Sequence, residues 1–138
     1  MARKRVLLVD DDADCRGVLR AILERQGIQV LEASDGLEAV RLAREREPDL
    51  VVMDIRMPGM TGLEACRALR SEAVLKKVPI IVLSGVMSRR QLDEIARLDG
   101  MTLYDEYVAK PFQYPALLAR VKAWLEMEAG QGARGGAR

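Results

Sequence analysis

Val6-Leu7-Leu8-Val9-Asp10-Asp11-Asp12 is an unbroken apolar run halted by three aspartates. A strand with one wet face alternates apolar and polar residues, so a run without alternation reads as a strand covered on both faces. Working outward, Ala13 to Gln26 carries Val18, Leu19, Ile22 and Leu23 at helical spacing, and Gly27 follows where helices commonly end. Ile28 to Ala33 reads as a second strand. Ser34-Asp35-Gly36 then turns the chain into a helix bearing Leu37, Val40, Leu42 and Ala43, which ends before Pro48. Leu50 to Met53 repeats the buried-strand pattern and again stops at an aspartate, Asp54. A helix around Leu63 to Glu72, a strand Ile80 to Leu83 closed by Ser84-Gly85, a helix around Ser88 to Leu98, a weaker strand Tyr107 to Ala109 and a helix from Tyr114 to Glu128 complete the chain. Apolar strands alternating with helices imply an α/β fold, a parallel sheet wrapped on both faces by right-handed crossovers.

With 138 residues and 49% hydrophobic content, the chain suffices for one core, expected over 1–128. Residues 129–138 are rich in Gly, Ala and Arg without apolar periodicity and read as a flexible tail or linker remnant. The 22 basic and 21 acidic residues nearly cancel, so no global field draws the protein to nucleic acid or to an anionic membrane, and functional charge must be local. Cys15 and Cys66 form no CxxC pattern, which points to reduced thiols rather than a disulfide or zinc framework. The apolar run after the basic N-terminus is too short for a signal peptide or a membrane span, so a cytoplasmic location is expected.

In a parallel α/β sheet the carboxyl ends of the strands line one edge, where ligands bind. The polar residues that end the strands, Asp10-Asp11, Asp54, Ser84 and Lys110, should therefore converge there. Two unit charges ~4 Å apart interact by about 4 kcal/mol at an effective dielectric near 20, so clustered carboxylates call for a cation. Mg²⁺ prefers one or two carboxylates, retained waters and a phosphate oxygen over a full protein cage, which suits an oxygen-only site without histidine. Such an ion prepares phosphoryl transfer to a carboxylate nucleophile, while Lys110 and the Ser84 hydroxyl hold further phosphoryl oxygens. Each residue alone has a plainer reading: a helix cap for an aspartate, which is the role read for Asp12, a turn for the serine, a loop for Lys110-Pro111.

Over about residues 4 to 128 the chain resembles the receiver domains of bacterial two-component response regulators. The acidic pair Asp10-Asp11, the segment Asp54-Ile55-Arg56-Met57-Pro58-Gly59-Met60-Thr61-Gly62-Leu63, Ser84 and Lys110-Pro111-Phe112 carry the likeness. The resemblance implies a flavodoxin-like five-stranded sheet of order 2-1-3-4-5 and a phospho-accepting signalling domain rather than an enzyme, with at most self-catalysed phosphorylation and dephosphorylation. It implies that Asp54 is the phospho-acceptor and that Asp11, Asp54 and the Arg56 backbone carbonyl bind Mg²⁺ directly, with Asp10 acting largely through water. Tyr107, three residues before Lys110, takes the place of a switch aromatic that moves from an outward to a buried position when Ser84 turns to the phosphoryl group. The output surface would be the fourth helix, fifth strand and fifth helix, and the protein a monomer or a phosphorylation-dependent homodimer. With no histidine in the chain, the donor must be a separate sensor histidine kinase, a phosphotransfer protein or a small acyl phosphate.

The chain departs from the family pattern at Gly85, where alanine is most common, at Leu103-Tyr104, and in a somewhat longer Ser84 to Lys110 stretch. Trp124 with Leu117, Leu118, Val121 and Leu125 reads as core or helix edge. Two rivals stand. A haloacid-dehalogenase-like phosphatase would use Asp10 as nucleophile, but it needs acidic ligands after the lysine, where only Glu126 and Glu128 remain. A degenerate receiver would bind partners without accepting phosphate. The sequence allows both a stand-alone regulator and a receiver portion of a longer chain, and it names neither kinase nor target.

Overall fold

Val6 to Val9 are at most 1% exposed, as a strand buried on both faces requires. The computed structural model describes residues 3–57, 59–85, 87–98 and 102–130. Among these, β1 (Arg5–Val9), β2 (Gln29–Ala33), β3 (Leu50–Asp54), β4 (Ile80–Ser84) and β5 (Glu106–Ala109) alternate with α1 (Ala13–Arg25), α2 (Gly36–Arg46), α3 (Gly62–Arg70), α4 (Arg89–Leu98) and α5 (Tyr114–Gly130). The strands form one parallel sheet in the order β2-β1-β3-β4-β5. The chain moves outward from β1 to β2 and then resumes on the other side of β1, so the crevice of this fold opens at the carboxyl ends of β1 and β3.

Successive strand residues serve opposite layers, which explains the missing alternation. Leu7, Val9, Val51, Met53, Ile80 and Val82 pack with Ala39, Ala43, Cys66, Leu69 and Leu92 under α2, α3 and α4. Val6, Leu8, Leu50, Val52, Ile81 and Leu83 pack with Leu19, Leu23, Leu117 and Val121 under α1 and α5. Fully burying one such side chain contributes about 1.5–3 kcal/mol, so the two layers together fix strand order and register.

Helix entries are set by side-chain caps. Asp12 accepts from the N–H groups of Asp14 and Cys15, Asp35 accepts from Glu38, and Thr61 with Glu64 forms a capping box. Two apolar residues assigned to helix faces lie outward instead: Val18 and Leu37 are 44% and 69% exposed. Each fits helical spacing but falls beyond the stripe that meets the sheet. A short 3-10 turn, Ala73–Leu75, was not legible in the sequence. Helix α5 runs to Gly130, two residues past the expected 1–128 boundary, and the remainder of the expected tail lies outside the described residues. Both cysteines are free, Cys15 half-buried and Cys66 buried.

Candidate functional site

The parallel register levels the strand ends. Val9 pairs with Met53, Asp54 with Leu83, and Ser84 with Ala109, so the residues closing β1, β3, β4 and β5 meet on one edge. Carboxylate oxygens of Asp10, Asp11 and Asp54 all lie within 4.8 Å of one another. Asp10 and Asp54 are buried at 6% and 4% exposure, whereas Asp11 is exposed. The Lys110 ammonium stands 3.3 Å from Asp54 Oδ1 and 4.0 Å from Asp10 Oδ2.

One cation does not balance this cluster. Asp10 Oδ1 accepts from the Asp12 N–H at 2.9 Å, but Oδ2 is buried without a hydrogen-bond partner. A buried carboxylate oxygen left unpaired is costly, and three carboxylates face one ammonium. The strain registers on Asp54: burial raises its carboxyl most, Lys110 pulls it back and the neighbouring Asp10 pushes it up, leaving it at about 6. For Lys110, burial works against the charged form, yet Asp54 and Asp10 outweigh it and the pKa rises. A small hard cation fits such a set, because the clustered donors are carboxylate oxygens and one of them lacks any hydrogen-bond partner.

The loop after β3 is held close to the site. The Gly62 N–H donates to the Ile55 carbonyl at 2.8 Å, and a Cβ on Gly62 would sit 2.3 Å from the Asp54 carbonyl oxygen, so only glycine permits this approach. Gly59 adopts φ +76°, the left-handed turn conformation. Pro58, expected to stiffen this loop, lies outside the described residues, and Arg56 presents an exposed side chain.

Ser84 is buried, but its hydroxyl is turned to its own loop: it donates to the Met87 carbonyl at 2.9 Å and accepts from the Met87 N–H at 3.1 Å. The Tyr107 hydroxyl donates to the same Met87 carbonyl at 3.0 Å. Its ring is half-buried against the layer under α3 and α4 rather than turned outward. Ser84 and Tyr107 thus share one acceptor. The role of Met87 was missed in the sequence because a backbone carbonyl carries no residue-type signal. Beside Lys110, whose peptide to Pro111 is cis, a groove of about 400 Å³ is lined by Cys15, Lys110, Pro111, Phe112 and Tyr114.

Glu126, one of the two acidic residues left to the phosphatase reading after the lysine, is exposed on α5 and takes no part in the carboxylate group; Asp10, Asp11 and Asp54 form the only such trio among the described residues. Trp124 is half-buried at the edge of the α1/α5 layer, its Nε1 donating to Glu106 at 2.7 Å, which matches the helix-edge reading.

A doubly wound α/β sheet with a partly buried, cation-deficient carboxylate trio and a lysine at its carboxyl edge defines an acidic ligand-holding domain. The chain belongs to the response regulator receiver domain family, whose model matches residues 6–122. It is 37% identical over 123 residues to the DNA-binding response regulator MtrA of Mycobacterium tuberculosis (strain ATCC 25618 / H37Rv), a match covering 89% of this chain and 51% of that protein. The chain thus spans about half the length of the curated relatives it matches. Among solved structures it is similar to the Vibrio cholerae chemotaxis response regulator CheY4, at 29% identity and TM-score 0.79 over 89% of this chain and 99% of that one. It is also similar to the receiver domain of sensor histidine kinase PA1611 from Pseudomonas aeruginosa PAO1, solved with a magnesium ion in its active-site cleft, at 30% identity and TM-score 0.78 over 91% and 99% of the two chains. Family membership places the chain among signalling modules rather than enzymes with turnover. No described helix is long and apolar enough to cross a membrane.

Proposed function

We infer that this domain accepts a phosphoryl group on Asp54 in a Mg²⁺-dependent reaction and thereby switches a protein-interaction surface. The observation that carries the reading is the carboxylate trio within 4.8 Å, with Asp10 Oδ2 buried without a hydrogen bond beside Asp54. Asp10, Asp11, Asp54 and the Arg56 backbone carbonyl are the groups that would hold Mg²⁺. When bound, the ion neutralises the carboxylates and the transferring oxygens. An Asp54 oxygen attacks phosphorus, the donor's bond to phosphorus breaks, and the leaving group departs with that electron pair. Lys110, already 3.3 Å from Asp54, is placed to neutralise a phosphoryl oxygen.

The acyl phosphate then offers the Ser84 hydroxyl a charged acceptor. Because Ser84 and Tyr107 both donate to the Met87 carbonyl, withdrawal of Ser84 leaves Tyr107 as the donor that holds this loop. The change reaches α4, β5 and α5, the surface proposed to meet a protein target. A sensor histidine kinase or phosphotransfer protein is the donor class, since the chain contains no histidine. DNA binding is stated in the name of the MtrA relatives, and neither a nucleic-acid partner nor an oligomeric state is part of the function proposed for this chain.

The test is incubation with acetyl phosphate and Mg²⁺ followed by intact-mass measurement. Wild type gains one phosphoryl group and Asp54→Asn gains none. Equal labelling of both proteins, or none of wild type, would sink the proposal, and the second outcome would favour a receiver that only binds partners.

A further inference from the structure

Asp10 is fixed at three points by groups outside the acidic trio, and one of them is a charged side chain. Its N–H donates to the Ala33 carbonyl at 3.2 Å, its Oδ1 accepts from Asp12, and its own carbonyl accepts from Arg16 Nη1 at 2.5 Å. Arg16 is braced in turn. Its Nε donates to Glu32 Oε1 at 2.9 Å, with the two side chains 16% and 25% exposed. The other Glu32 oxygen accepts from Arg20 at 2.6 Å, and Arg20 also reaches Glu24 at 2.9 Å. A chain of alternating charge therefore runs from the outer surface of α1 to the backbone of Asp10.

A cation this near the pocket would serve most simply by pairing with its carboxylates. Arg16 does not: its bonds go to a neutral carbonyl and to Glu32 on β2. The planar guanidinium, with donors in fixed directions, suits bracing the turn between β1 and α1 against its neighbouring strand. We propose that Arg16 is a positioning residue for the cation site: by clamping the Asp10 carbonyl it holds the Asp10 carboxylate, whose Oδ2 makes no hydrogen bond, toward the other two carboxylates, and Glu32 orients its guanidinium. The inference rests on the Mg²⁺ site proposed above.

The sign of one measurement separates positioning from bystander charge. A bystander cation repels Mg²⁺, so its removal would tighten binding. Loss of a positioning residue weakens it, typically by tenfold or more for groups that orient metal ligands. Calorimetric titration of Mg²⁺ into Arg16→Ala, well below its unfolding temperature, is expected to show about tenfold weaker binding than wild type. Arg16→Lys keeps the charge but not the fork and is expected to lose roughly threefold, an intermediate loss that also decides the matter if the alanine variant does not fold. Unchanged or tighter binding in Arg16→Ala, or wild-type affinity in Arg16→Lys, would overturn the assignment. Mass measurement of wild type with acetyl phosphate keeps the two readings apart: failure to gain a phosphoryl group defeats the proposed function, whereas phosphorylation with unaltered Mg²⁺ affinity in the variants defeats only the role of Arg16.

Discussion

The sheet carries a partly buried charge cluster at each edge, and the two are built on opposite terms. At the amino ends of β4 and β5, the guanidinium of Arg70, 6% exposed, donates to the carbonyls of Leu75, Lys76, Val78 and Thr102 and pairs with Asp105 at 2.9 Å. Asp105 also accepts the Ile80 N–H at 2.8 Å. At the carboxyl edge, three carboxylates face one ammonium and Asp10 Oδ2 has no hydrogen-bond partner. A satisfied cluster ties secondary-structure elements together. An unsatisfied one retains electrostatic energy that only an incoming ligand relieves.

Opposite signs in stability follow. Arg70→Ala removes a donor from four carbonyls and the cation from Asp105, and the expected loss is about 3–5 kcal/mol in urea unfolding, the range for breaking a buried pair. A loss under about 1 kcal/mol would show that the lower cluster is no clamp. At the upper edge, Asp54→Asn removes a repelling charge, so the metal-free protein is expected to gain about 1 kcal/mol at neutral pH. Saturating Mg²⁺ reverses the ranking. At a hundredfold excess over its dissociation constant the ion stabilises wild type by about 2.7 kcal/mol, and the gain in Asp54→Asn should be much smaller. Thermal unfolding with and without Mg²⁺ reads both effects.

The upper edge was legible in the sequence and the lower one was not. Asp10, Asp54 and Ser84 each end an apolar run, so topology alone brings them to one edge. β5 read more weakly because it is an edge strand, its Glu106, Tyr107 and Val108 only half-buried. Arg70 lies in the last turn of α3, where a basic residue ordinarily meets solvent and the helix dipole; nothing local signals that its guanidinium turns inward. Arg16 was hidden in the same way among the charges of α1, and Met87 acts through its backbone. Roles carried by carbonyls, or by long side chains that fold back, depend on tertiary geometry and leave no periodic trace.

The pH dependence sharpens the contrast further. The Asp54 carboxyl titrates at about 6 in the folded protein against 3.8 ordinarily, chiefly because it is buried. Between those values the folded state holds a proton that the unfolded chain has released, so metal-free stability contributed by this group falls as pH rises and levels off above about 6. Glu32 and Glu106 behave oppositely. Hydrogen bonds from Arg20 and Arg120 hold their carboxyls below the usual range, so their contribution is present at neutral pH and lost on acidification. Urea unfolding in chelator from about pH 4 to about pH 8 should therefore lose its falling component in Asp54→Asn while keeping the acid-side loss. Because a proton on Asp54 competes with the ion, Mg²⁺ affinity should rise as pH climbs through about 6. Affinity independent of pH across that interval would remove Asp54 from the ligand set.

The smallest expected effect concerns how loosely the upper cation is seated. Arg70 is gripped by backbone carbonyls, whereas Lys110, 31% exposed, owes its position partly to the space left by Gly85. A Cβ at Gly85 would stand 3.2 Å from Lys110 Cβ, close enough that the lysine must give by a few tenths of an ångström. Gly85→Ala should therefore shift the ammonium relative to Asp54 and slow labelling by acetyl phosphate about twofold, equivalent to ~0.4 kcal/mol in the barrier. Global stability should move little, since alanine also restricts the unfolded chain. A tenfold loss of rate would mean that Lys110 is held as rigidly as Arg70, and that the two edges differ in charge balance but not in stiffness.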